Sequence, residues 1–180
     1  HTVNPASKTF TQNVDYFDRI CRVTGGLKRM VVGAFGARTS AFKTVRIDEL
    51  ALQKHGITME TFDLSSVFAK MKDVDKKSIK TKTEKLESIS NCKGIPPKAL
   101  ETLARLGVVL DNLITEYKLD AVALRCWVEM QQILGISPCV LLGELNERGI
   151  AAACEVDVGN AIAMHALKLA SGTPAGCLDW

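Results

Sequence analysis

No stretch of this sequence stays apolar for the roughly 18 residues that a membrane-spanning helix needs. Charge of one sign is not in excess either. Lys and Arg number 23, Asp and Glu 20, and the net charge is +3. That balance leaves no basic footprint for nucleic acid and no strong steering field. Residues 1–7 are polar and lack the apolar core of a signal peptide. They read as a tail or as a remnant of expression. Cys-x-x-Cys pairs are missing, because Cys21, Cys92, Cys126, Cys139, Cys154 and Cys177 are scattered, several of them in apolar runs. Buried free thiols in a reducing compartment fit that scatter better than disulfides or a zinc site. A cytoplasmic location is expected from it.

Familiar catalytic signatures are absent as well. Gly33-Ala-Phe-Gly-Ala-Arg38 places glycines after an apolar run, yet it is not Gly-x-Gly-x-x-Gly, and no Gly-Lys-Ser/Thr occurs. A nucleotide site therefore has little support. Gly-x-Ser-x-Gly is missing, and no nucleophilic triad suggests itself.

What is present is ordinary globular composition, 47% apolar and 24% charged over 180 residues. That suits one domain, or one piece of a larger enzyme. Apolar residues recur at helical spacing over 8–24, and Gly25-Gly26 is expected to end that helix. Strands are expected at 30–35, 57–62, 120–124 and 150–154, with a further one beginning near 176. Helices are expected from Ser40 to His55, from Asp63 to Met71, over 98–117, over 126–132 and from Asp157 to Ala170. Residues 137–142 read as a turn or short strand whose tail is already helical. The lysine-rich stretch 72–94 reads as a solvated helical face, since acidic residues are interleaved and aromatics are lacking. Strands alternating with helices predict a three-layer α/β sandwich around a mainly parallel, doubly wound sheet.

In such a sheet, ligands sit beyond the carboxyl ends of the strands. Gly36–Ser40, Asp63, Arg125–Trp127 and Glu155–Asp157 qualify. Asp157 has a ready role as a helix cap. Glu155 has none, and it follows an apolar strand directly. Asp179 closes the run Cys177-Leu178-Asp179. If that run is the adjacent strand, Glu155 and Asp179 share one rim. Paired carboxylate oxygens suit a hard divalent cation such as Mn²⁺ or Mg²⁺. Arg38 offers a sugar or anion contact, or a salt bridge. His55 suits the end of a helix, and His165 reads as a packed or surface residue.

Arg125-Cys126-Trp127, then 138–150, then Ala153-Cys154-Glu155-Val156-Asp157 resemble the L-fucose isomerase family and its relatives. Met164, Leu167, Gly172-Thr173-Pro174 and Leu178-Asp179 fit the same pattern. Upstream, 36–42 and 56–64 look like the first half of that family's second, middle domain. The resemblance is strongest over 120–180, looser over 29–68 and weak in the lysine-rich middle. It implies a multidomain, homo-oligomeric (hexameric) parent enzyme that interconverts an aldose and its ketose with Mn²⁺. It matches Glu155 to the family's glutamate and Asp179 to its aspartate, both metal ligands and proposed proton carriers. An aspartate at the second position, where L-arabinose isomerases carry glutamate, favours the fucose-like branch. Arg38, Trp127 and Gln131 are implied as sugar or neighbouring-subunit contacts.

The family's third protein ligand, a histidine of the C-terminal domain, has no counterpart before Trp180. The expectation is a domain over 8–176, with 177–180 opening a link to a further domain. Alone, it is expected to fold without turning over substrate. Its partner is then a small-molecule sugar, with no nucleic acid and no membrane. The competing expectation is a non-catalytic α/β module that binds a small sugar or a protein partner.

Overall fold

The computed structural model describes residues 3–178. Strands β1 (Val31–Phe35), β2 (Thr58–Phe62), β3 (Ala121–Leu124) and β4 (Ala151–Cys154) form one sheet in the order β2-β1-β3-β4. Every pairing is parallel. Helices cover both faces, so the predicted three-layer, doubly wound α/β sandwich is what the chain forms.

Period-two alternation divides each strand between two cores. Val32, Ala34, Ala121, Ala123, Ala151 and Ala153 point to one face. The register aligns Val32, Ala121 and Ala151 across three strands. These small side chains let α7 (Val158–Ser171) lie close over β3 and β4, with α1 (Lys8–Leu27) packed on α7. Helix α2 (Glu49–Lys54) adds Leu52 to that side. Phe35, Val122 and Leu124 point the other way, into a core of larger residues. There they meet α3 (Leu64–Lys70), α4 (Lys76–Ile89), α5 (Pro97–Tyr117) and α6 (Cys139–Glu147). Each fully buried Leu or Phe there contributes roughly 1.5–3 kcal/mol of transfer free energy.

Several expectations are corrected. Helix α1 runs through Gly25-Gly26 instead of stopping there. A Cβ on Gly26 would come within 2.4 Å of Leu169 Cδ1, so this glycine lets α1 approach α7. That packing outweighs the helix-propensity cost of about 1 kcal/mol per glycine. The apolar stripe of α1 stays uncovered, with Phe10, Val14, Phe17 and Ile20 all exposed. Ser40 caps no helix. Asp48 does, accepting from Ala51 N at 2.9 Å, and only a 3-10 turn at Lys43–Val45 precedes it. The reason is Arg38, whose Nη1 lies 3.0 Å from Thr39 O, 3.4 Å from Ser40 O and 3.1 Å from Phe42 O. Thr39 O also accepts from Phe42 N at 3.0 Å in a tight turn, and the chain wrapped around this guanidinium does not continue as an α-helix.

The helix expected at 126–132 is a turn followed by a π-helical turn, Met130–Leu134. Residues 176–178 are irregular, so the described part of the last expected strand is not a strand. Most cysteines are not buried: Cys126 is, Cys92 is half-buried, and Cys21, Cys139, Cys154 and Cys177 are exposed. Lys82 departs from the solvated face of α4, being buried with Glu144.

Candidate functional site

The winding reverses between β1 and β3, because α2 lies on one face and α3 to α6 on the other. Crevices for ligands form at such a point. Gly36 turns the chain out of β1 with φ +89°. A Cβ there would lie 3.0 Å from Arg125 Cβ and from Leu64 Cγ. Arg125 then braces the loops. It donates from Nη1 to Ala37 O at 2.9 Å and from Nε to Trp127 O at 2.9 Å, and its Nη2 pairs with Glu129 at 2.6 Å. Trp127 packs edge-on against Phe42, with ring centroids 5.3 Å apart.

Glu155 follows β4 and is only 8% exposed. Its φ is 54° and that of Val156 is 57°. Consecutive left-handed residues without glycine are uncommon, and a β-branched one is a true outlier. Each costs on the order of 1–3 kcal/mol, and such strain clusters at functional sites. The strained turn puts the carboxylate among the loops after β1 and β3. Cys126 Sγ donates to Oε1 at 2.6 Å. Thr39 Oγ1 lies 3.1 Å from Oε2 and 3.4 Å from Trp127 O. A hydroxyl has one proton, and the nearer, charged acceptor takes it.

Burial, and then the bond to Glu155 and its charge, push the Cys126 thiol up to about 12. Cys126 is therefore a neutral donor at pH 7, with Glu155 the acceptor. No lysine, arginine or histidine among the described residues forms an ion pair with Glu155. Among the described residues this buried carboxylate meets only neutral donors, and a buried charge calls for a compensating one. It is a natural place for a cation, and its hard oxygens fit Mn²⁺ or Mg²⁺. Among the described residues no group of three or more His, Cys, Asp or Glu gathers to complete a metal shell. Glu155 thus fits as one ligand and not as a whole site.

Asp179, the second predicted carboxylate, lies outside the described residues. Of the predicted substrate contacts, Arg38 is half-buried and pinned by its own loop, and Trp127 is exposed at the rim. With its amide nitrogen turned inward, Gln131 donates to Cys126 O at 2.7 Å and Val128 O at 3.2 Å, which supports the turn beneath Trp127. Asp157 caps α7 by accepting from Asn160 N at 2.9 Å, as expected. Asp63 is the N-cap residue of α3, and among the described residues its side chain makes no capping bond. His55 ends α2, and His165 is packed inside. Thr39, Cys126 and Arg125 are the residues around Glu155 that pattern reading did not single out. Each lies in a strand-end segment already marked, but nothing in the sequence singles out its side chain.

The fold and this rim define an α/β protein with a buried carboxylate, Glu155, at the sheet's carboxyl edge. No family model matches the chain. It is similar to curated proteins named sulfoquinovose isomerase. That from Priestia aryabhattai is 24% identical over 170 residues, and that from Alkalicoccus urumqiensis 26% over 171. A third, from a Clostridium species, is 23% identical over 172 residues. Each alignment takes in 94% of this chain. The chain spans only 38–39% of the length of these relatives.

Proposed function

We propose that this chain is the Glu155-bearing domain of a metal-dependent aldose–ketose isomerase resembling the L-fucose isomerases. One observation carries the reading: a strained turn holds a buried carboxylate, without a cationic partner among the described residues, at the switch point of the sheet. The similarity to sulfoquinovose isomerases along nearly the whole chain supports it.

Glu155 and Asp179 are the residues that would hold the cation. A bound divalent ion would polarise the sugar carbonyl and stabilise the negative charge that develops on oxygen. Glu155 takes the proton from C2 of the open-chain aldose, and the electrons of that bond form the C1–C2 double bond of the ene-diol. It returns the proton to C1, which leaves the carbonyl at C2. Asp179 moves the second proton, from the C2 hydroxyl to the C1 oxygen. Thr39 and Cys126 fix the plane of Glu155, each by one bond to a different oxygen. That leaves the carboxylate spare lone pairs for metal and substrate.

The remaining ligands belong to the rest of the longer protein, so this chain alone is inactive in this reading. The parent is a cytoplasmic homo-oligomer, and the uncovered apolar stripe of α1 supports burial of that surface in the larger assembly. The test is conversion of aldoses to ketoses by the longer natural polypeptide, followed by NMR. Turnover should vanish on chelation and return with Mn²⁺. Absence of turnover across a panel of hexoses, in folded protein with Mn²⁺ present, would favour a binding module instead.

A further inference from the structure

Beside the carboxylate lies a cavity of about 340 Å³ lined by Arg38, Arg46, Val45, Ile47, Thr61 and Val156, among others. Its lining includes no carboxylate, and most of it is aliphatic. Arg38 and Arg46 supply its only formal charges, both positive. Among the described residues neither has an ion-pair partner. Asp48, the acidic residue nearest to Arg46 in sequence, is occupied at the cap of α2.

Arg38 is held in place by its Nη1 alone, through the carbonyls of Thr39, Ser40 and Phe42. Those neutral acceptors fix the guanidinium without cancelling its charge. Its Nε and Nη2 have no protein partner among the described residues, so one edge is available. A planar guanidinium with a free edge matches a tetrahedral oxyanion, and a second arginine at the same cavity adds to the field.

The cavity adjoins the carboxylate through chain neighbours. Val156 follows Glu155 in the chain, and Arg38 precedes Thr39, which bonds Glu155 at 3.1 Å. We infer that this cavity is an anion subsite, and that the substrate class is a sugar with a sulfonate or phosphate at the end remote from its carbonyl. The assignment of substrate rests on the isomerase reading given above. The anion site itself does not. The aliphatic walls receive the carbon chain near that end, and the arginines receive the oxyanion.

The experiment is an NMR titration of the ¹⁵N-labelled chain. Probes are inorganic sulfate, glucose 6-phosphate and sulfoquinovose (glucose with a sulfonate at C6), with D-glucose as the neutral control. Saturable shifts are expected at Gly36, Arg46, Ile47 and Val156 with every anionic probe and not with glucose. Arg46 is exposed, so Arg46→Gln should fold normally. It should weaken binding roughly tenfold, the scale of one charge-assisted hydrogen bond. No saturable shift, or equal affinity in Arg46→Gln, overturns the subsite. Shifts with sulfate but with neither charged sugar overturn the substrate assignment and leave a free-anion site. In the longer polypeptide, Arg46→Gln should lower kcat/KM for the charged sugar by about the same factor. Turnover of charged and neutral sugars alike, unchanged by the variant, sinks this inference and leaves the isomerase reading standing. Anion binding without turnover of any sugar does the reverse.

Discussion

At the scale of the residue, Glu155 is defined by what holds it. A carboxylate 8% exposed needs donors, and it has a thiol on one oxygen and a hydroxyl on the other. Cys126→Ser keeps a donor and should retain most activity of the longer protein. Cys126→Val removes it and should lower kcat by tenfold or more, since a hydrogen bond to a charged group is worth about 1.5–3 kcal/mol. If the two variants behave alike, Cys126 only fills space. With its thiol pushed up to about 12, Cys126 should also resist alkylation at pH 8, while exposed Cys21 and Cys139 react. Mass spectrometry of iodoacetamide-treated protein checks this, and early labelling of Cys126 would contradict it.

The elements show what pattern reading can and cannot reach. Helical spacing over 98–117 and the Pro96-Pro97 start are local facts, and α5 begins at Pro97 and ends at Tyr117. Asp157 and Gly172 bracket α7 for equally local reasons, a side-chain cap and a left-handed end. The expectation at Ser40 failed because Arg38 wraps the chain around its guanidinium through the carbonyls of Thr39, Ser40 and Phe42, a contact that spacing does not show. The meeting of Thr39, Cys126 and Glu155 was not legible, because it depends on β1, β3 and β4 lying side by side. Hydrophobic alternation marks strands and is silent about their order. Glycine carries a similar nonlocal meaning at the α2–β2 turn. Gly56 has φ +84°, and a Cβ there would stand 2.1 Å from Lys28 O. Gly56→Ala should destabilise the chain by about 2 kcal/mol or more. A urea midpoint unchanged by this substitution would refute that account of the turn.

Across the whole molecule, a buried ionic network joins three helices of the large-residue layer. Lys82 of α4, 7% exposed, pairs with Asp111 of α5 at 2.6 Å and with Glu144 of α6 at 3.1 Å. Glu144 is 2% exposed, and Arg148 bonds it at 2.8 Å and also contacts Asp111. Removing one partner of a buried pair leaves a charge uncompensated. Lys82→Met should therefore cost about 3 kcal/mol, and adding Glu144→Leu should restore part of the loss. Denaturant unfolding of both variants decides this, and a double variant weaker than the single one would count against it.

The opposite layer contributes a pH dependence. Burial lowers the pKa of His165, Lys168 lowers it further and Asp120 opposes them. Its Nδ1 has no hydrogen-bond partner among the described residues. A lowered folded pKa means that the unfolded chain binds the proton first as pH falls. His165 thus costs no stability above about pH 6.5 and progressively more below it, until the folded pKa is reached. His165→Leu should flatten that part of the stability profile.

The function proposed for the longer polypeptide rests on Glu155, and its most direct test is kcat with Mn²⁺ and a hexose substrate. Wild type is compared with Glu155→Gln, which is isosteric but cannot take a proton. The account expects a loss of at least about a thousandfold, within the range for removing a general base. The circular dichroism spectrum should stay unchanged. A folded Glu155→Gln enzyme within tenfold of wild type would contradict the account.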